Sequence, residues 1–205
     1  MKTMAGHHLR WLAVVMGVLL LTACAGFSEP KKDLFFRLPE LAATAPRESQ
    51  PAGPIVYVPP FLASGVHGER ALLYAHADGT SLEQYTYSYW VDSPRVLFQQ
   101  ALVEHLRANS DRRVVVVPSA DASHTVTGRI RKFERHDDGK HGVAEIALEF
   151  EVVSGDSVAA DFVRSYARAL VLNDDDVGRC AAALGGAAQE ILAQFAGDLR
   201  AHWGE

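Results

Sequence analysis

Long apolar runs are nearly absent from this 205-residue chain. The single such run, Leu12–Leu21, is about half the roughly twenty residues that a bilayer span needs, which argues against a permanent membrane helix. Cysteine is as scarce: Cys24 and Cys180 are the only two. Basic charge is in deficit, with 20 Lys and Arg against 25 Asp and Glu and a formal net charge of −5. Residues 1–23 carry Lys2 and Arg10 and no acid, so the remaining 182 residues carry −7. An acidic chain without a basic run is a poor ligand for nucleic acid or anionic headgroups, and no nucleic-acid partner is expected. Catalytic signatures are missing too. There is no Gly-x-Ser-x-Gly, no His-Glu-x-x-His, no phosphate-cradling glycine loop and no dinucleotide fingerprint. The residues give no positive reason for catalysis. No internal repeat of fixed period is present, and 182 residues suit one domain with a sizeable core.

What is present begins at the N-terminus. Lys2 and Arg10, the short apolar run and then small residues have the layout of a secretory signal peptide. The run ends in Leu21-Thr22-Ala23-Cys24, which resembles a bacterial lipobox. That resemblance implies cleavage after Ala23, with a diacylglycerol on the Cys24 thiol and an N-acyl chain (palmitate-type) on its amine. Two or three acyl chains anchor a protein firmly where one does not. The expected organisation is residues 1–23 as signal peptide, 24–32 as a lipidated tether and 33–205 as one periplasmic domain. Ala25 stands where an aspartate would resemble an inner-membrane retention signal, so the periplasmic face of the outer membrane is favoured. Cys180 is then alone. It reads as a small helix residue, with no disulfide and no nucleophilic role.

Along the chain, Asp33–Leu38 reads as a first strand stopped by Pro39, and the proline-rich stretch to Pro54 as a surface loop. Ile55–Val58 is apolar throughout, a buried strand ended by Pro59-Pro60. Ala71–Ala75 and Leu82–Val91 form strands around the Asp78-Gly79 turn. In the second of these, strict alternation puts Tyr85, Tyr87, Tyr89 and Val91 on one face and Gln84, Thr86, Ser88 and Trp90 on the other. The tyrosine ladder is open to two readings: a half-buried face packed on a helix, or a contact surface for a partner or a second copy.

Asp92-Ser93-Pro94 opens a helix whose apolar face is Leu97, Phe98, Ala101, Leu102 and Leu106. His105 shares that face, as a hydrogen-bonded histidine at the edge of the core. Val114–Val117, His124–Glu134 and Val143–Val153 follow as strands. In the last, Ile146, Leu148, Phe150 and Val152 face inward, and Glu145, Glu149 and Glu151 outward. The polar link His136–His141 contains two histidines and two aspartates, but Asp-Gly between alternating strands is first a hairpin turn, and no metal site is assigned. In Ala160–Leu172, Phe162, Tyr166 and Leu170 share a face with Arg164 and Arg168. Those arginines are expected to pair with the acids of the preceding strand. Asn173–Asp176 caps a final helix with one apolar stripe, Val177, Ala181, Leu184, Ala188, Ile191, Leu192, Phe195 and Leu199, which docks on the sheet. The fold class that follows is α/β of the α+β type: a mixed, mainly antiparallel sheet with two main helices on one face.

Several of these pieces together resemble the ABC-type transport auxiliary lipoproteins, the group that contains the paraquat-inducible C-type lipoproteins. They are the lipobox at Cys24, Phe35-Phe36-Arg37-Leu38, Val56-Tyr57-Val58-Pro59-Pro60-Phe61-Leu62, and Leu73-Tyr74 through Leu82, Tyr85, Tyr87, Trp90, Val91 and Pro94. The resemblance continues to the final helix and carries no catalytic set and no cofactor. It implies an outer-membrane lipoprotein that works with MCE-domain proteins and permease or ABC components in moving lipids or other hydrophobic molecules between membranes. Homo-oligomeric rings would match a tubular partner. Candidate interface residues are Pro59, Pro60 and Phe61 in one loop and Tyr85, Tyr87, Tyr89 and Trp90 in one strand. The alternatives are a lipoprotein of another outer-membrane assembly or secretion machine, and a periplasmic hydrolase.

Overall fold

The computed structural model describes residues 30–40, 53–155 and 157–205. Leu21, Thr22, Ala23 and Cys24, and most of the proline-rich loop, lie outside the described residues. Asp33–Glu205 forms one compact unit.

Its frame is β7 (Ala122–Asp137), a sixteen-residue strand. One edge of β7 pairs antiparallel along nearly its whole length with β8 (Gly142–Ser154), which pairs antiparallel with β9 (Phe162–Leu172). The other edge is shared by three short parallel strands: β2 (Ile55–Tyr57) at the start, β3 (Leu62–Ala63) in the middle and β4 (Ala71–Ala75) at the end. β5 (Leu82–Trp90) pairs antiparallel with β4, and β1 (Leu34–Phe36) adds in parallel outside β5. β6 (Arg113–Val115) flanks β2. The sheet is mixed: its long ladders are antiparallel and its short ones parallel.

The strand pattern explains these pairings. In β7, Val126, Gly128 and Ile130 face the core, then Phe133; the phase slips because one extra residue, Arg131, forms a bulge opposite β8. Ile146, Leu148, Phe150 and Val152 of β8 are buried, as their alternation requires. The outward acids of β8 do not pair with β9. Glu149 takes Arg131 at 3.0 Å and Glu145 takes Lys132 at 3.0 Å, both on β7. Arg164 and Arg168 stand opposite Phe150 and Ile146, on the helix-facing side, so the expected pairing with the acids of β8 fails. Arg168 instead donates to Gln194 of the last helix at 2.6 Å, and Arg164 lies over the Phe162 ring. Of the apolar residues on the face of the two arginines, Phe162 and Tyr166 are buried and Leu170 is exposed.

Two helices cover one face. α1 (Pro94–Asn109) starts at Ser93, whose hydroxyl accepts from the Arg95 amide at 3.3 Å. α2 (Val177–Trp203) starts at Asp176, whose carboxylate accepts from the Arg179 amide at 2.8 Å. Its apolar stripe is buried except for the half-buried Val177, and it packs on β8, β9 and α1 together. The core is a chain of rings: Trp90 on Phe133 (4.8 Å), Phe133 on Phe98 (4.9 Å), Phe98 on Phe61, Phe61 on Phe150, and Phe150 stacked on Phe195 at 3.9 Å. Such pairs add to the area they bury by about 0.5–1.5 kcal/mol each. The far end of α2 is pinned by Arg112, 3.9 Å over the Trp203 ring and donating to Glu205 at 2.6 Å.

Candidate partner-facing surfaces

The expected tyrosine ladder is broken at its centre. Ala71 pairs with Tyr89 but Leu73 pairs with Gln84, so β5 carries extra residues there, and Tyr87 sits at a φ of 64°. A non-glycine residue in the left-handed region ends strict alternation. The three tyrosines therefore have three environments. Tyr85 is half-buried, 4.9 Å from the Tyr74 ring, and its hydroxyl accepts from Arg135 at 3.1 Å. Burial raises the Tyr85 pKa and Arg135 partly offsets this. The same guanidinium pairs with Asp175 at the approach to α2, so Tyr85 serves the join between sheet and helix. Tyr87 is exposed. Tyr89 packs beside Phe35 of β1 at 5.9 Å. Trp90 points the other way and is fully buried, which removes it as an interface residue.

The loop after β2 divides in the same manner. Pro59 is half-buried and Pro60 exposed, while Phe61 is wholly buried in the ring chain and offers a partner nothing. Phe61 fits because β7 has a glycine beneath it: a Cβ on Gly128 would lie 2.4 Å from the Phe61 ring. An isolated glycine inside the Thr125–Ile130 alternation was the signal for this close approach. Leu62 and Val66, two and six residues after Pro60, are exposed.

The short 3-10 turn Gly65–Gly68 closes that loop through His67. His67 Nδ1 lies 2.8 Å from the Ser64 carbonyl, which can only accept, so Nδ1 carries a proton. Nε2 lies 2.6 Å from Glu134 Oε2, a separation that needs a second proton between them. Both side chains are largely buried. Burial pulls the His67 pKa down, but the hydrogen bonds that the ring donates to Glu134 and to the Ser64 carbonyl, with the Glu134 charge, outweigh it and leave it raised. The pair ties the loop to β7; neither residue stood out in the sequence, because a single histidine and a single glutamate 67 positions apart form no local motif.

His105 is buried, hydrogen-bonded to Gln189 at 2.8 Å, and its pKa is lowered by burial. Gln189 in turn donates to the Pro39 carbonyl at 2.5 Å, which ties the segment after β1 to both helices. The His136–His141 link is a hairpin turn in which Asp138 accepts from the amides of Lys140 and His141. No group of three His, Cys, Asp or Glu among the described residues is placed to hold a metal ion. Cys180 is buried on α2 and its thiol pKa is pushed up to about 11 by burial, far from thiolate reactivity at neutral pH.

A shallow groove of about 360 Å³ lies along the β1–β5 rim, lined by Asp33, Phe35, Glu69, Arg70, Gln84 and Tyr89 among others. The Arg70 guanidinium sits 5.7 Å from the Phe35 ring centre and donates to the carbonyls of Trp90 and Val91.

Comparison with known proteins agrees with this architecture. The structure of protein XCC0632 from Xanthomonas campestris, assigned to family DUF330, superposes with a TM-score of 0.67 at 14% identity, covering 80% of this chain and 93% of its own. A second solved structure, of an uncharacterized protein, gives 0.65 at 14% identity, covering 82% and 99%. At these identities the likeness shows the fold. No curated protein matches the chain significantly. The family model for the ABC-type transport auxiliary lipoprotein component matches residues 36–196, from the end of β1 to the sixth turn of α2, and on that match the chain belongs to the ABC-type transport auxiliary lipoprotein family.

Proposed function

We propose that the protein is the outer-membrane-anchored subunit of an ABC/MCE-type intermembrane transport system. The observation that carries this reading is the family match across residues 36–196. The Leu21-Thr22-Ala23-Cys24 sequence supports the anchor: a diacylglycerol and an N-acyl chain on Cys24 hold the domain to the periplasmic face, behind a tether of residues 24–32. The domain itself docks an MCE-domain protein, with permease or ABC components beyond it, for the movement of lipids or other hydrophobic molecules. It does so as a binding subunit without catalysis or cofactor, and a homo-oligomeric ring is the arrangement that suits a tubular partner. The loop bearing Pro59, Pro60, Leu62 and Val66 is the partner-facing surface, because it presents apolar side chains from a backbone held in place by Phe61 and His67.

Cross-linking in cells, followed by capture of the tagged full-length chain and mass spectrometry, tests this. An MCE-domain protein and a permease among the captured chains are the expected result. Capture of a β-barrel or secretion component in their place would overturn it in favour of a different envelope machine.

A further inference from the structure

The two outer strands on opposite sides of β7 differ in what they expose. β9 shows isolated aliphatic side chains along an extended strand. β1 gathers an amphipathic cluster. Leu34 and Phe35 are 53% and 54% exposed, and Tyr87 and Val91, which flank the Ser88–Trp90 stretch paired with β1, are 40% and 37% exposed. Arg70 lies across the Phe35 ring and Tyr89 packs behind it. Aromatic rings beside a basic side chain are groups that settle at a membrane–water boundary.

The chain supplies a reason for that boundary to be at hand. Leu34 lies ten residues after Cys24. Ten residues span at most about 35 Å, so an acylated Cys24 holds β1 near the bilayer at high effective concentration, where a weak contact is enough. The charge pattern selects the surface. The groove beside Phe35 presents Arg70 together with Asp33 and Glu69. That mixture suits a zwitterionic headgroup, phosphate toward Arg70 and ammonium toward the two carboxylates. The rest of the acidic body gains nothing from approaching an anionic sheet.

We propose that the β1–β5 rim, through Leu34, Phe35, Tyr87, Val91 and Arg70, seats the folded domain directly on a phosphatidylethanolamine-rich bilayer surface. This rests on acylation of Cys24, and it fixes which side of the domain faces the membrane and which is left for protein partners.

The test uses the mature, acylated protein that begins at Cys24, in vesicles of phosphatidylethanolamine and phosphatidylglycerol, with and without lipids brominated near the headgroup. Two variants each add one tryptophan, Phe35→Trp at the rim and Val163→Trp on β9, against the background of buried Trp90 and half-buried Trp203. Each is first checked for an unchanged unfolding midpoint. The expected result is loss of most of the added Phe35→Trp emission with brominated lipid and no loss for Val163→Trp. Equal quenching of both, or flotation with the vesicles without quenching at Phe35→Trp, overturns the proposal while leaving the anchor intact; the second outcome would give the rim to a protein partner. Failure of the protein to float with vesicles overturns the anchor as well.

Discussion

The two edges of β7 are built on opposite plans. On one side a single strand, β8, pairs from His124 to Asp137 with one bulge at Arg131, and α2 seals the face with the Phe150–Phe195 stack. On the other, β2, β3 and β4 each take two or three residues of β7 and leave it again, joined by the Pro59–Phe61 loop and the 3-10 turn. Backbone pairing alone can hold the first edge. The second depends on side chains that pin its loops: Phe61 over Gly128, and His67 on Glu134. The surfaces assigned to partners and membrane both lie on this second side, where short strands let loops carry the chemistry.

Replacements can break that comparison in graded steps. Phe150→Ala strikes the long edge, and the loss of a buried ring stacked on Phe195 should lower global stability by about 3–5 kcal/mol in urea denaturation. Gly128→Ala tests the short edge. Its Cβ would have to displace the Phe61 ring, and a cost of about 1–3 kcal/mol is expected. Hydrogen exchange should rise most at β3 and the loop before it, with β8 and β9 spared; uniform loosening would show that the edges are one unit.

The adjacent glycines of α2 sharpen the contrast within one helix. A Cβ on Gly186 meets nothing, so Gly186→Ala should stabilise by about 0.5–1 kcal/mol. A Cβ on Gly185 would lie 2.8 Å from Pro39 Cδ, so Gly185→Ala should forfeit that gain by displacing the segment after β1. Paired thermal melts decide it, and equal shifts would mean that Pro39 moves aside freely.

The smallest effect is the most local. Folding raises the His67 pKa, so the folded chain holds that proton more tightly than the unfolded one. The contribution is fully present below the ordinary histidine value of about 6.5 and fades as pH rises through the folded value. Amide exchange in Ser64–Glu69, corrected for the intrinsic pH effect, should therefore lose protection at alkaline pH in the native chain. In His67→Gln it should not change with pH.

Much of this was legible in the residues. The apolar run Ala71–Ala75 matches β4 residue for residue, Ser93-Pro94 and Asp176 mark both helix starts, and alternation marks β8. Periodicity and caps are local, and the sequence carries them directly. What is not legible depends on contacts between distant segments. A bulge at Tyr87 inverts the alternation of β5 and sends Trp90 into the core, and Phe61, a loop residue, is core because Gly128 of a distant strand leaves room for its ring. Arg164 and Arg168 lie next to β8, but α2 returns over that face. The His67–Glu134 contact depends on a crossover between distant segments, which no local pattern encodes.

The parallel arrangement also sets a timetable. Ile55 must wait for Ala122, and Leu62 for Arg129, before either finds its ladder, whereas β7, β8 and β9 follow one another as a simple meander. Contacts between distant segments form slowly, because loop closure must precede their reward. As the chain emerges from its N-terminus, β2, β3 and β4 have no place on the central strand until β7 exists. The first half of this protein thus acquires its shape only when the second half has supplied the template.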